Sequence, residues 1–194
     1  IFINANFIIG FVGPGLSTET HEIAVFQLKI MSPIVLISGL TGISFGSLNA
    51  KKEFLIPSIA PLISSITLII FIIAFWLKEG QVIDSAEKAI LGGITLAIAT
   101  TIGALLQLLI QIPSLIKKGI FKLNLAWNWK NKGVQKVIKL IIPATLSSGM
   151  LQINVFTDLF FASNIIGAAA SLGYANFIIQ APLGLISNAI IIPL

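Results

Sequence analysis

The sequence predicts an all-α integral membrane protein, a polytopic helix bundle, and three observations carry that prediction. Apolar residues make up 56% of the 194 and charged residues only 10%, whereas a soluble domain carries about a quarter charged residues. Long apolar runs recur at Ile30–Leu48, Phe54–Leu77, Ala89–Ile116 and Leu140–Pro193; crossing a hydrocarbon core takes about 20 helical residues. The last run is too long for one crossing and must be split. Finally, the charges are unevenly placed. Lys51 and Lys52 form one basic connection, and Lys117, Lys118, Lys122, Lys130, Lys132, Lys136 and Lys139 another, while the alternate connections carry Lys78 and Lys88 against Glu19, Glu22, Glu79, Asp84 and Glu87. That asymmetry orients helices, with connections 51–53 and 117–139 expected on the cytoplasmic side. It accounts for the net charge of +5 and argues against a nucleic-acid partner.

Taken in order, residues 1–12 are expected to be the tail of a helix that begins upstream. They lack the basic leader and small-residue cleavage site of a signal peptide. The chain starts at Ile1 and stops at Leu194 inside an apolar run, so a piece of a longer protein is expected. Gly13-Pro14-Gly15 ends the first segment outside the membrane, since glycine and proline punctuate helices. A second span, 18–50, returns inward; its opening acids, Glu19 and Glu22, suit the positive end of a helix dipole. A third span covers 54–77, and the polar stretch Lys78–Lys88 is an external loop. The fourth covers 85–116 and ends in Lys117-Lys118-Gly119. A fifth, 134–163, goes out, and a sixth, 166–192, returns.

Residues 117–133 are the one long connection, taken as the boundary between two lobes: 1–116 closing the first and 134–194 opening the second. Within it Phe121, Leu123, Leu125, Trp127 and Trp129 alternate with polar or small residues. A period of two suggests an extended stretch with one apolar face, suited to the headgroup region through its tryptophans and lysines. A loop packed on its own helices fits equally well.

Enzyme chemistry has little to stand on. There is one histidine, His21, and no cysteine, so neither a histidine cluster nor thiolates can hold a metal; no cofactor is expected. His21 sits beside Glu22 at a helix start, where a solvated role is the simpler reading. Polar residues inside spans are the better signal, because a charge in hydrocarbon is costly and normally faces a partner or a wet cavity. Asp158 is the only acid in a predicted span away from its opening turn; Glu19, Glu22 and Glu87 sit in the opening turns of theirs. Asn154, four residues back, shares its face, and Gln152 lies about 160° around from Asn154. Asp158 either lines a hydrated cavity, the preferred reading, or lies near the outer helix end reaching for water. Lys29 either snorkels outward along its stem or sits as an intramembrane cation between helices. The sixth span carries Tyr174, Asn176 and Gln180, the last two on one face. They either line a substrate path or bind neighbouring helices. Pro33, Pro143 and Pro182 are the expected helix kinks.

Several blocks together resemble the lipid II flippases of the multidrug/oligosaccharidyl-lipid/polysaccharide exporter superfamily. They run in order from Pro14-Gly15-Leu16 and Leu28-Lys29-Ile30-Met31-Ser32-Pro33 to Gly46-Ser47-Leu48-Asn49-Ala50 and Pro57-Ser58-Ile59-Ala60-Pro61. Gly103-Ala104-Leu105-Leu106-Gln107-Leu108, Gln111-Ile112-Pro113, Pro143-Ala144, Gln152-Ile153-Asn154 and Phe161-Ala162-Ser163 follow, then Tyr174-Ala175-Asn176, Pro182-Leu183-Gly184 and Ile192-Pro193-Leu194. No single block is diagnostic; the ordered set is fairly specific. The resemblance implies a fourteen-helix, two-lobed transporter, of which this chain holds the end of helix three through helix eight. It implies transfer of undecaprenyl-pyrophosphate-linked peptidoglycan precursor from inner to outer leaflet by alternating access, with membrane lipids and a coupling ion as partners and no catalysis. It also implies that Gln152, Asn154, Asp158, Tyr174, Asn176 and Gln180 line the cavity. One departure stands out: members of the family carry an arginine and a glutamate in the eighth helix, at positions corresponding to Phe177 and Gln180. Another exporter of the same superfamily, or a noncatalytic scaffold for cell-wall assembly, are the alternatives.

Overall fold

The computed structural model describes residues 1–80, 85–120 and 131–186. The alternating stretch from Phe121 to Trp129, Asp84 in the loop after Lys78, and the end of the sixth predicted span with Asn188 lie outside the described residues. Among those described there are eight helices: α1 (Ala5–Val12), α2 (Thr18–Met31), α3 (Ile34–Ala50), α4 (Leu55–Glu79), α5 (Ala86–Leu109), α6 (Ile112–Lys117), α7 (Lys132–Ala162) and α8 (Ala168–Ile186). Four stretches are long and apolar enough to cross a membrane: Thr18–Ala50, Leu55–Glu79, Ala86–Lys117 and Lys132–Ala162. At about 1.5 Å per residue, the shortest of them, α4, is about 37 Å long.

Two of these stretches are each two helices rather than one. Pro33 has no N–H, so nothing on the chain can continue the bond to the Lys29 carbonyl. Ser32 takes that carbonyl instead, through its backbone N–H (3.3 Å) and its hydroxyl (2.8 Å), and the helix restarts at Ile34. Pro113 has the same effect between α5 and α6. The Gln111 backbone N–H turns to the Leu108 carbonyl, and its side-chain Nε2 donates to the Gln107 carbonyl at 3.1 Å. Gln111 is fully buried, so this side chain replaces a backbone donor where water does not reach. Pro61, Pro143 and Pro182 lie inside the unbroken helices α4, α7 and α8.

The helix starts and stops follow from local chemistry. Ser17 caps α2, its hydroxyl accepting from the Thr20 N–H at 3.4 Å; Ser85 caps α5 by accepting from Lys88 N–H; Asn131 caps α7 by accepting from Gly133 N–H at 2.8 Å. These side chains satisfy donors that a helix start leaves unpaired. Helices α3 and α6 both end with a residue in the left-handed region. At α6 this is Gly119 (φ 68°), with Ile120 N–H on the Leu115 carbonyl; at α3 it is Lys52 (φ 58°), with Glu53 N–H on the Leu48 carbonyl. Both are the six-to-one helix-ending bond that normally favours glycine. Glu53 then meets Lys118 at 3.1 Å, tying the two ends together.

The contacts divide into two compact units, Ile1–Ala5 with Glu22–Trp127, and Asn6–His21 with Asn128–Leu194. In the first, α4 and α5 make the most extensive pairing, and α3 packs on α5 and α6. Small residues allow the approach: Ala60, Ala97 and Ala99 are buried, and a Cβ on Gly103 would stand 2.9 Å from the Ser64 hydroxyl and 3.1 Å from its carbonyl. Thr101 adds an interhelical hydrogen bond to the Ile30 carbonyl at 3.2 Å. This is how membrane helices associate, by close backbone packing rather than by hiding apolar area from water. In the second unit α7 contacts α8.

Gly103→Leu is expected to destabilise the full-length protein by about 1–3 kcal/mol through overpacking, read as a lower thermal midpoint in detergent. Lys52→Gly is expected to stabilise it by about 1 kcal/mol, because glycine enters the left-handed region without the Cβ clash; the same melt reads both.

Candidate functional site

The polar residues expected in the fifth and sixth spans all lie on the surface of the second unit. Gln152, Asn154 and Asp158 are exposed on α7, and Tyr174, Asn176 and Gln180 are exposed on α8. Asn154 and Asp158 stand one turn apart on one face of α7, as do Asn176 and Gln180 on α8, while Gln152 and Tyr174 point elsewhere around their helices. No side-chain hydrogen bond or ion pair joins any of the six to another described residue. The α7 and α8 sets are therefore two separate polar faces, each one turn long, rather than one interlocked cluster.

The rest of α7 explains why the polar face matters. Ile153, Phe156, Thr157 and Phe160 line an apolar cleft of about 510 Å³ together with Phe7, Ile8, Phe11 and Val12 of α1. The Thr157 hydroxyl does not spoil that lining, since it bonds back to the Ile153 carbonyl at 2.8 Å. The centre of the cleft-lining row lies about 130° around α7 from Asn154 and Asp158. One helix thus carries an aromatic wall and, a third of a turn away, an acid and an amide without partners among the described residues.

Lys29 lies in the other unit. It is half-exposed, its Nζ is 5.9 Å from the centre of the Phe2 ring, and no ion pair reaches it from a described acid. A cation over an aromatic face is stabilised by the ring quadrupole, an arrangement between the snorkelling and interhelical alternatives. Phe2 in turn forms one wall of an apolar groove of about 570 Å³ against Pro33, Leu36, Gly39 and Ile43. Of the three kink prolines, Pro33 sits at a full helix break beside Lys29, and Pro143 and Pro182 lie within α7 and α8, near the polar faces in sequence. Among the described residues no group of three or more His, Cys, Asp or Glu side chains could hold a metal ion.

Sequence reasoning missed one contact. The N–H of Gly15, in the turn between α1 and α2, donates to the Ser163 hydroxyl at the end of α7 at 3.1 Å. Both residues lie within blocks of the family resemblance, but only the fold reveals that they touch.

Apolar helices of membrane-crossing length, two of them broken at prolines, define a polytopic membrane protein. The family model described as "Lipid II flippase MurJ" matches residues 1–194, and the chain belongs to that family. It is 49% identical over 194 residues to a "Probable lipid II flippase MurJ" of Synechocystis sp., covering 100% of this chain and 36% of that protein. A Vibrio cholerae protein of the same description is 31% identical over 187 residues, 96% of this chain and 34% of its own length. The "Lipid II flippase MurJ" of Burkholderia cenocepacia is 26% identical over 192 residues, 96% and 35% respectively. The chain spans about a third of the length of the curated relatives it matches.

Because Asn154, Asp158 and Gln180 make no contact that packing depends on, replacing each with leucine is expected to change stability by less than about 0.5 kcal/mol. The check is an unchanged thermal midpoint and membrane yield of the full-length protein.

Proposed function

We propose that the full-length protein carrying this chain moves undecaprenyl-pyrophosphate-linked peptidoglycan precursor from the inner to the outer leaflet of the bacterial plasma membrane. The observation that carries this proposal is family membership over the entire chain, residues 1–194, reinforced by 49% identity to a relative described as a probable lipid II flippase. The chemistry is noncovalent: a wet cavity accepts the pyrophosphate-sugar headgroup while the lipid tail stays in the bilayer, and two lobes rock about the bound headgroup to change its exposure. Residues 1–116 belong to the first lobe and 134–194 to the second, with 117–133 between them. The lysines of 51–53 and 117–139 lie on the cytoplasmic side.

In this scheme Asn154 and Asp158 on α7 and Asn176 and Gln180 on α8 form part of the cavity wall, with Gln152 and Tyr174 at its margins. Their support is the lack of any described partner at these exposed positions, and the cost of leaving Asp158 in hydrocarbon. Amides suit sugar hydroxyls and peptide groups, as donors and acceptors both. None of these side chains supplies the charge-assisted grip that a pyrophosphate calls for, and Phe177 cannot do so. The cation for the headgroup therefore comes from the remaining two-thirds of the protein, or from Lys29. Asp158 is the one acid in these spans able to carry a coupling cation.

The test expresses the full-length protein in cells depleted of their own lipid II flippase and follows precursor exposure outside. Exposure and growth are expected to return with the unaltered protein and to fall at least about tenfold with Asp158→Leu or Gln180→Leu, the loss expected from removing one buried polar contact to a substrate. Restoration insensitive to both substitutions removes these residues from the site. No restoration despite stable insertion contradicts the proposed substrate and points to a different lipid-linked glycan.

A further inference from the structure

The contact between Gly15 and Ser163 joins positions 148 residues apart in sequence, and its geometry is tight. A Cβ on Gly15 would stand 2.7 Å from both the Asn164 Cα and the Ser163 carbonyl oxygen, so the turn meets the end of α7 backbone to backbone. Only glycine fits. The Ser163 side chain is held for this contact: Ser163 is buried, and its hydroxyl donates to the Phe160 carbonyl at 2.7 Å while accepting from Gly15 N–H. Beneath the bond, Leu16, Leu159 and Ala169 enclose a void of only about 90 Å³. Further along, the same two helices, α1 and α7, part into the phenylalanine-lined cleft.

We propose that the Gly13–Ser17 turn is a releasable latch on the C-terminal end of α7, closing the outer mouth of the transport path through the Gly15–Ser163 contact. This rests on the transport reading above, in which Gly15 and Ser163 belong to different lobes and both face outward. The chemistry favours a latch over permanent packing. Gly15, Pro14 and Asn164 are exposed, so water can enter as the turn lifts. On opening, Ser163 keeps its bond to the Phe160 carbonyl and Gly15 N–H passes to water, so no buried polar group is orphaned. One hydrogen bond between groups that both stay satisfied after it breaks is a contact that opens cheaply. The absence of a Cβ at Gly15 is what lets the turn seat directly on the α7 backbone.

The test uses the full-length protein in a cysteine-free background carrying Leu16→Cys and Leu159→Cys, oxidised mildly in native membranes. The pair is expected to form a disulfide, to stop exposing lipid-linked precursor once oxidised, and to recover on reduction. Gly15→Ala, added to the pair, is expected to slow disulfide formation about tenfold, the scale of losing one part-buried hydrogen bond. An oxidised pair that exposes precursor as fast as its reduced form overturns the latch, as does a reduced pair that transports but never crosslinks. A reduced pair that inserts stably, crosslinks on oxidation and never exposes precursor overturns the transport reading instead, and the latch's role with it.

Discussion

Everything in this chain answers to one constraint: inside a hydrocarbon layer each backbone N–H and C=O must find its partner within the protein. Helices meet it automatically until a proline interrupts them. The two breaks show the repair in detail. At Pro33 the abandoned Lys29 carbonyl is taken by Ser32, backbone and hydroxyl together. At Pro113 a fully buried glutamine amide stands in for a backbone donor. Hydroxyls elsewhere obey the same rule, with Thr41, Ser44, Thr67 and Thr157 each bonded to the carbonyl four residues back. Such bonds remove the cost of a hydroxyl in an apolar setting and let a helix bend.

With the backbone satisfied, the residues left without partners become informative. Apolar side chains facing lipid need no explanation, so the numerous exposed leucines, isoleucines and phenylalanines say little. Asp158, Asn154, Asn176 and Gln180 are different, since neither lipid nor any described neighbour satisfies them. Their arrangement on α7 and α8 leaves each helix with a short polar face. On α7 that face is set well apart from an aromatic one, and a helix of this kind can separate a watery compartment from a greasy cleft.

Much of this was legible in the sequence, for physical reasons. Spans follow from runs of apolar residues, and helix ends from Gly13-Pro14-Gly15 and Lys117-Lys118-Gly119. Asn154 and Asp158 could be placed on one face because their spacing of four matches the helix period. Pro33 was expected to bend a helix; that it ends one depends on Ser32 accepting the role of donor, and serine before proline does not announce it. Gln111 looked like any interfacial glutamine until its burial and its bond to Gln107 were seen. The apolar cleft and the Gly15–Ser163 contact pair residues about 150 positions apart, and no local pattern encodes such a meeting. The alternating stretch Phe121–Trp129 lies outside the described residues.

The claim most in need of a direct test is that α7 has one wet face and one dry one. Single cysteines placed in turn at 152–160 of the full-length protein, in native membranes, and challenged with a small charged thiol reagent that does not enter lipid, measure this position by position. Reaction concentrated at 154 and 158, with 153, 156 and 160 protected, is the predicted pattern. Protection at all nine positions, or reaction peaking at 156 and 160, would contradict a cavity lined by Asn154 and Asp158.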